Sequence, residues 1–499
     1  MRLVFLILLI AAVQAQNKYS QKCSTDDDCD PLNSCNTKLG KCYHKDLWPL
    51  EGQEWAGTFL VFLMSALSNA GGIGGSSIMI PFLLLIFNFE THMVTPIVQV
   101  IILSGSIVAV GMKVRLRHPT RDRPLILYDI IMLEVGPMLF GSAVGVFLNI
   151  GFPWWLILSI FCVITLGLII ITFIRGFLLY RKETKVKKIS HVNVNSQDTV
   201  EIDTLDGDNK NDIIEADDSE KDPVVSRPEN QPDNQTSKDS NLIIVEAETG
   251  RPIRDIHTEL QKIYKFESQW WHPSRVFVVF AIFSWAVVAA FIRGDSNTES
   301  IAGWELCTKD FWGFFVGFMI SMALIGISVS TYLNRRDKLK ESLGYDFDTH
   351  DLRWTVKQCA TFMFFSFMAG FFSGLAGVGG AVILGPVQLA FGVRPEVSTG
   401  TSSCIVILTS TMNFILFLKA GLVTVNYSLW LLAFSVTGSA LGVFVVKKLV
   451  DKFGRPSIMV FCLGTVYISA FILTVTYNIR KIIKDQEDGK TEYDFKDFC

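Results

Sequence analysis

The sequence predicts an all-α, polytopic membrane protein of two inverted four-segment repeats with glycine-broken first helices, plus a two-helix insertion and a small disulfide-rich N-terminal head. Three observations carry this expectation. Half of the 499 residues are hydrophobic, only 19% are charged and 38 are Phe, with a mean hydropathy of +0.37; this is too apolar for an ordinary soluble chain. The apolar residues fall in stretches of bilayer-spanning length. Two of those stretches carry the same interruption: Gly72-Ile73-Gly74-Gly75 ahead of Ile80-Pro81, and Gly377-Val378-Gly379-Gly380 ahead of Gly385-Pro386. Glycine weakens a helix and proline removes a backbone donor, so in lipid such a break survives only where protein or a cavity surrounds it. Matching breaks in two halves of a membrane protein point to a transport site near the midplane.

Taken in order, residues 1–15 begin with Arg2, continue through a short apolar run and end at Val13-Gln14-Ala15, the pattern of a signal peptide. A lumenal or extracellular segment, 16–56, follows. Its Cys23, Cys29, Cys35 and Cys42 lie among aspartates, and four cysteines in a small polar region outside the cell read as two disulfides of undetermined pairing. The tight cysteine-pair spacing of a zinc site and the ligand spacing of an EF-hand are both missing, so no metal is expected. The first membrane repeat, 57–180, holds apolar segments at 57–89, 94–112, 125–149 and 153–180. Residues 181–272, rich in charge and poor in aromatics, read as a cytoplasmic acidic disordered linker, open to cytoplasmic partners. Two additional transmembrane helices, at 274–292 and 310–333 within 273–333, precede a cytoplasmic loop at 334–355. The second membrane repeat, 356–480, holds segments at 356–391, 397–419, 427–446 and 457–478, and residues 481–499 form a polar C-terminal tail.

The halves also match beyond the breaks. Gly141-Ser142-Ala143-Val144-Gly145-Val146-Phe147 and Gly438-Ser439-Ala440-Leu441-Gly442-Val443-Phe444 agree at six of seven positions. Two matches in the same order indicate duplication, and these later glycines read as a small-residue face for helix packing. Charge sets the relative orientation of the halves. Residues 113–123 hold five bases and 446–457 hold four, while 149–153 and 419–426 hold none and one, and short cytoplasmic loops collect Lys and Arg. Both basic loops lie inside if each glycine-broken segment enters and leaves on the same side. The halves are then inverted, the N-terminus is outside, and the C-terminus with Arg480, Lys481 and Lys484 is left outside.

A break at Gly-x-Gly-Gly frees backbone N–H groups at the start of the next helix, where the helix dipole favours negative charge. Gly72, Gly74, Gly75, Gly377, Gly379 and Gly380 are therefore the candidate substrate-binding backbone, with the hydroxyls of Ser76, Ser77, Thr401, Ser402 and Ser403 beside them. For any single hydroxyl, a bond back to its own helix competes with that role. Glu134 stands within an apolar run where the second half has Leu431. An intramembrane carboxylate is a candidate for carrying a proton, and pairing near the interface is the alternative. Cys162, Cys359, Cys404 and Cys462 show no ligand-like spacing and read as packing residues.

The paired Gly-x-Gly-Gly segments, each ending in proline, the Ser/Thr-rich next helix and the small-residue third helix resemble the sulfite exporter TauE/SafE family in its eukaryotic form. The resemblance covers roughly residues 57–180 and 273–480, and the run Gly374 to Gly380 through Gly385-Pro386 is its more specific part; Ser76 stands where the family often has a further glycine. It implies a multi-span permease for sulfite, sulfonates or related organic anions, while the signal peptide points to a membrane of the secretory route, plasma membrane or endomembrane. A membrane receptor or sorting scaffold using the cysteine-rich head and acidic loop is the competing class. An enzyme is not expected, since no nucleophile, base and orienting group occur together. No cofactor is expected, and no basic patch interleaved with aromatics suggests nucleic acid; the expected partners are a small anion and the lipid bilayer.

Overall fold

The computed structural model describes Thr25 and residues 33–36, 41–70, 76–89, 91–118, 121–197, 253–294, 300–305, 308–347, 351–453 and 457–487. The signal-peptide assignment, Cys23, Cys29, Gly72, Gly74 and Gly75 lie outside the described residues. The chain opens with an antiparallel hairpin, β1 (Asn33–Asn36) and β2 (Lys41–His44), whose register sets Cys35 directly opposite Cys42. This departs from the all-α expectation, because two polar four-residue strands carry no alternation that a sequence reading can detect.

Thirteen helices follow among the described residues. The first repeat gives α1 (Gly52–Ala70), α2 (Ser76–Ile86), α3 (Thr91–Lys113), α4 (Tyr128–Gly151) and α5 (Trp154–Gln197). Next come α6 (Ile253–Ser268), α7 (Pro273–Arg293) and α8 (Lys309–Ser342), and then α9 (Val356–Ala376), α10 (Ala381–Ala390), α11 (Pro395–Lys419), α12 (Val425–Phe453) and α13 (Ser457–Glu487). Seven of the described helices are long and apolar enough to cross a membrane. Local chemistry sets several starts. Thr308 and Thr355 accept N-cap hydrogen bonds from Phe311 and Gln358, and Pro273 and Pro395 open α7 and α11, where a missing N–H is harmless. The polar linker differs from its expected form at both ends: α5 runs on to Gln197, and α6 is an amphipathic helix with Ile256 buried. Lys, Glu and Gln are good helix formers, so a membrane helix continues readily into such sequence.

Each glycine-broken segment folds back on itself. α9 has 21 residues, about 31 Å at 1.5 Å per residue, and α10 only 10, about 15 Å. The Phe362 ring near the start of α9 packs, tilted by 32°, 4.9 Å from the Phe391 ring just after α10. In the first half, Gln53 Nε2 at the start of α1 donates to Ile86 O at the end of α2 at 2.8 Å. Each segment is thus one long arm and one short arm with both outer ends on the same face, rather than two equal half-helices.

The two hairpins begin at opposite ends of the bundle. Arg275 in the first turn of α7 pairs with Asp129 at the start of α4 at 3.2 Å, and Ala290 in its last turn accepts from Lys419 at the end of α11. Beyond Lys419, Tyr427 in α12 donates to Glu54 in α1. At the other end, Arg336 contacts Asp129 at 2.9 Å, and the next residue, Asp337, accepts the Trp354 N–H just before α9 at 2.7 Å.

Packing is duplicated as well. The first helix of each half lies on the helix of the other half that carries the matched glycine run, α1 on α12 and α9 on α4; α3 packs on α11, and α5 on α13. The aligned glycines make the cross-contacts. A Cβ on Gly374 would lie 2.5 Å from Ser142 O and 2.8 Å from Val146 N, and one on Gly145 would collide with the Phe371 carbonyl. On the other side, Gly438 and Gly442 press against the carbonyls of Phe62 and Ala66. The packing role read from these glycines is what they perform. The inserted α7 and α8 pack on α4.

Candidate functional site

The second break is built by glycine geometry. Gly377 caps α9 in the left-handed region, φ 68°, with its N–H on Ser373 O at 3.2 Å, a conformation a side chain disfavours. Gly380 caps α10, whose first turn closes through Val382 N–H to Gly379 O and Ile383 N–H to Gly380 O. The break is buried against the other half. A Cβ on Gly377 would sit 3.3 Å from Ile80 Cδ1 on α2 and 3.4 Å from Thr95 Cγ2 on α3, and one on Gly380 would strike the Met138 methyl on α4. Ser76 and Ser77 open α2.

A band of neutral polar side chains surrounds the last turn of α9. Gln99 Nε2 donates to Ser373 O at 2.7 Å, Asn413 Nδ2 donates to Ser373 Oγ at 3.1 Å, Ser142 donates to Asn413 Oδ1, and Asn149 Nδ2 donates to Leu375 O at 2.6 Å. All are buried. A helix end inside a protein leaves carbonyls that need donors, and these amides supply them without introducing a full charge. Gln99 Oε1 and Asn149 Oδ1 keep an acceptor without a partner among the described residues. The sequence reading missed this band, although lone Gln and Asn residues in apolar runs are the signal for it.

The candidate hydroxyls divide. Ser403 donates to Thr399 O at 2.7 Å within its own helix, and Thr401 Oγ1 accepts the Leu127 N–H at 3.1 Å, tying α11 to the start of α4. Ser402 instead donates to Gln388 Oε1 at 3.1 Å, while Gln388 Nε2 donates to Glu134 Oε2 at 3.1 Å. Glu134 is fully buried, and its Oε1 has no partner among the described residues. Gln388, near the end of α10, therefore links the proton-carrying candidate on α4 to a substrate-binding candidate on α11. Thr409 and Thr411 bond back to their own helix, Ser104 Oγ lies 2.6 Å from Ser435 Oγ, and Cys359 is buried.

A bundle of apolar helices closed around a buried helix break, with uncharged donors at the break, defines a polytopic membrane protein of transporter type. More specifically, the family model described as Sulfite exporter TauE/SafE matches residues 362–491. The similarity to curated proteins reaches further. Sulfite exporter TauE/SafE family protein 3 of Arabidopsis thaliana is 27% identical over 438 residues, 86% of this chain and 80% of that relative. Family protein 2 of the same plant is 26% identical over 443 residues, 86% of this chain and 84% of that relative. No solved structure matches the chain at a significant level.

Proposed function

We propose that this protein is a permease or exporter of a small anion such as sulfite, an organosulfonate or a related organic anion, working by alternating access of two inverted repeats. The observation that carries this reading is the buried break at Gly377–Gly380, which starts a short helix between the two halves. The opening amides of that helix, at the positive end of its dipole, favour an anion without a lysine or arginine in the membrane. The names of the relatives, sulfite exporter TauE/SafE family proteins, support sulfite as a member of that substrate class. The packing of the membrane part around the broken helices favours a carrier over a receptor or scaffold. Uptake of radiolabelled sulfite into proteoliposomes, with competition by sulfonates and small carboxylates, tests the reading; no saturable flux of any of these removes it.

Inversion is supported by hairpins that begin at opposite ends, and rocking of one repeat against the other would open the break alternately. The end at Asp129 also carries the bases of residues 113–123, which assigns it to the cytoplasm. Lys481 Nζ, in the last turns of α13, lies 4.3 Å from the Trp154 ring just past the far end of α4, which supports a lumenal or extracellular end for α13. In sealed microsomes a C-terminal epitope is expected to resist protease, while one placed in 198–252 is digested and Asn234-Gln235-Thr236 stays unglycosylated. Digestion of both epitopes would contradict this topology. The two-disulfide head rests on its cysteine spacing, to which the β1–β2 register adds Cys35 opposed to Cys42.

Glu134 is assigned the proton-coupling role, with Gln388 reporting its state to Ser402. Glu134→Gln is expected to yield transport whose rate no longer changes with pH. A Glu134→Gln protein with the wild-type pH profile excludes the role.

A further inference from the structure

At the Asp129 end, a cavity of about 60 Å³ lies among α4, α6, α7, α8 and the segment before α9. It is separate from the break: Met138, which touches Gly380, is nine residues along α4 from Asp129, about 13 Å. Its ion pairs form a closed set. Glu267 accepts from Lys340, from Arg336 Nη2 at 3.1 Å and from Tyr345 Oη at 2.7 Å. Asp351 accepts from Arg123 at 2.6 Å and lies 3.5 Å from Arg121, and Asp129 is held by Arg336 and Arg275. Burial alone would push the Glu267 carboxyl up; Lys340, Tyr345 and Arg336 reverse this and hold it below the usual carboxylate range. Each of these three carboxylates faces two cations.

Two guanidinium groups in the wall keep nitrogens unmatched among the described residues, Nε of Arg123 and both Nε and Nη2 of Arg275, and Arg275 alone of these two leaves a whole edge open. It is 7% exposed and lines the cavity. One nitrogen, Nη1, faces Asp129, and the guanidinium lies 5.0 Å over the Phe266 ring. Nε and Nη2, the two donors along one edge of the guanidinium, have no partner among the described residues. Buried guanidinium donors left unmatched are costly, and this edge has the spacing that takes two oxygens of one oxyanion.

We propose that this cavity is a second anion site, distinct from the transport break, binding one small tetrahedral oxyanion on the Nε and Nη2 edge of Arg275. The space holds a few waters or one such ion, and excludes a nucleotide. Free phosphate or sulfate and a phosphomonoester lipid headgroup share the required chemistry. Because the wall includes α6, where the linker ends, occupancy ties the linker to the core.

The test is equilibrium binding of radiolabelled phosphate to the purified full chain in detergent, with sulfate as competitor and chloride holding ionic strength constant. Saturable binding of one phosphate per chain is expected. Arg275→Lys keeps a charge for Asp129 but replaces the two-donor edge with a point donor, and should weaken binding about tenfold or more. Gly377→Ala should leave it unchanged. In the second arm, thermal stabilisation in vesicles containing a phosphatidylinositol phosphate, against phosphatidylcholine alone, identifies a headgroup as the source. Absence of saturable binding in both arms overturns the site, as does wild-type affinity in Arg275→Lys or binding lost in Gly377→Ala. Should Arg275→Lys fail to fold, wild-type protein imaged with selenate decides: density on the Arg275 edge supports the site, and its absence there refutes it.

Discussion

Gly377→Ala is expected to reduce sulfite flux in proteoliposomes by about tenfold or more while leaving the chain folded. Two effects add. The residue sits at φ 68°, where a side chain costs about 1–2 kcal/mol. The new Cβ would also lie 3.3 Å from Ile80 Cδ1, tighter than most Cβ contacts, and 3.4 Å from Thr95 Cγ2 of the other half, so Ile80 must give by a few tenths of an ångström while the left-handed backbone strain pulls the break toward a new conformation. A transport site depends on sub-ångström placement of its donors, and a shift there is read directly as lost flux. Gly385→Ala is the control: it lies in the same short helix with nothing within 4 Å of an added Cβ, and should transport as the wild type does. Equal flux from the two variants would remove Gly377 from the site.

The second large effect is on folding. Gly145→Val should destabilise the protein by about 3 kcal/mol, the upper part of the usual overpacking range, and Gly442→Val should do the same from the other half. Both glycines lie where a Cβ meets a backbone carbonyl of the facing helix, that of Phe371 and that of Ala66 respectively. A carbonyl on a packed helix cannot rotate away as a side chain can, so the helices must separate along their length. Gly167→Val on α5 has nothing within 4 Å and should stay within about 0.5 kcal/mol of wild type, as open positions do. Thermal unfolding in detergent, followed by size-exclusion profiles, measures all three. Stability of Gly145→Val equal to that of Gly167→Val would show that the cross-contact does not hold the halves together.

Much of the architecture was legible because membrane helices announce themselves locally. Every apolar segment marked out in the sequence contains a helix, and the aligned glycines of residues 141–147 and 438–444 could be assigned to packing from their spacing alone. The hairpin at 33–44 and helix α6 were not legible, since one is too short and polar for periodicity and the other sits in charged sequence that reads as linker. At the site, Gly377 and Gly380 were found from the break they cause. Gln99, Asn149, Asn413 and Gln388 were not, because a single amide in an apolar run looks alike whether it caps a neighbouring helix or its own.

Composition and pattern alone determined that the chain has helices of membrane-spanning length and apolarity, that two glycine-rich stretches match, and where glycine interrupts a helix, because each follows from residues close together in sequence. Tertiary structure alone decided that α1 packs on α12 and α9 on α4, that Glu134 meets Ser402 through Gln388, and that one edge of Arg275 is left without a partner among the described residues. These pairings join residues up to several hundred positions apart. Whether a buried donor finds an acceptor depends on the backbone of another helix, and no local stretch of sequence encodes that.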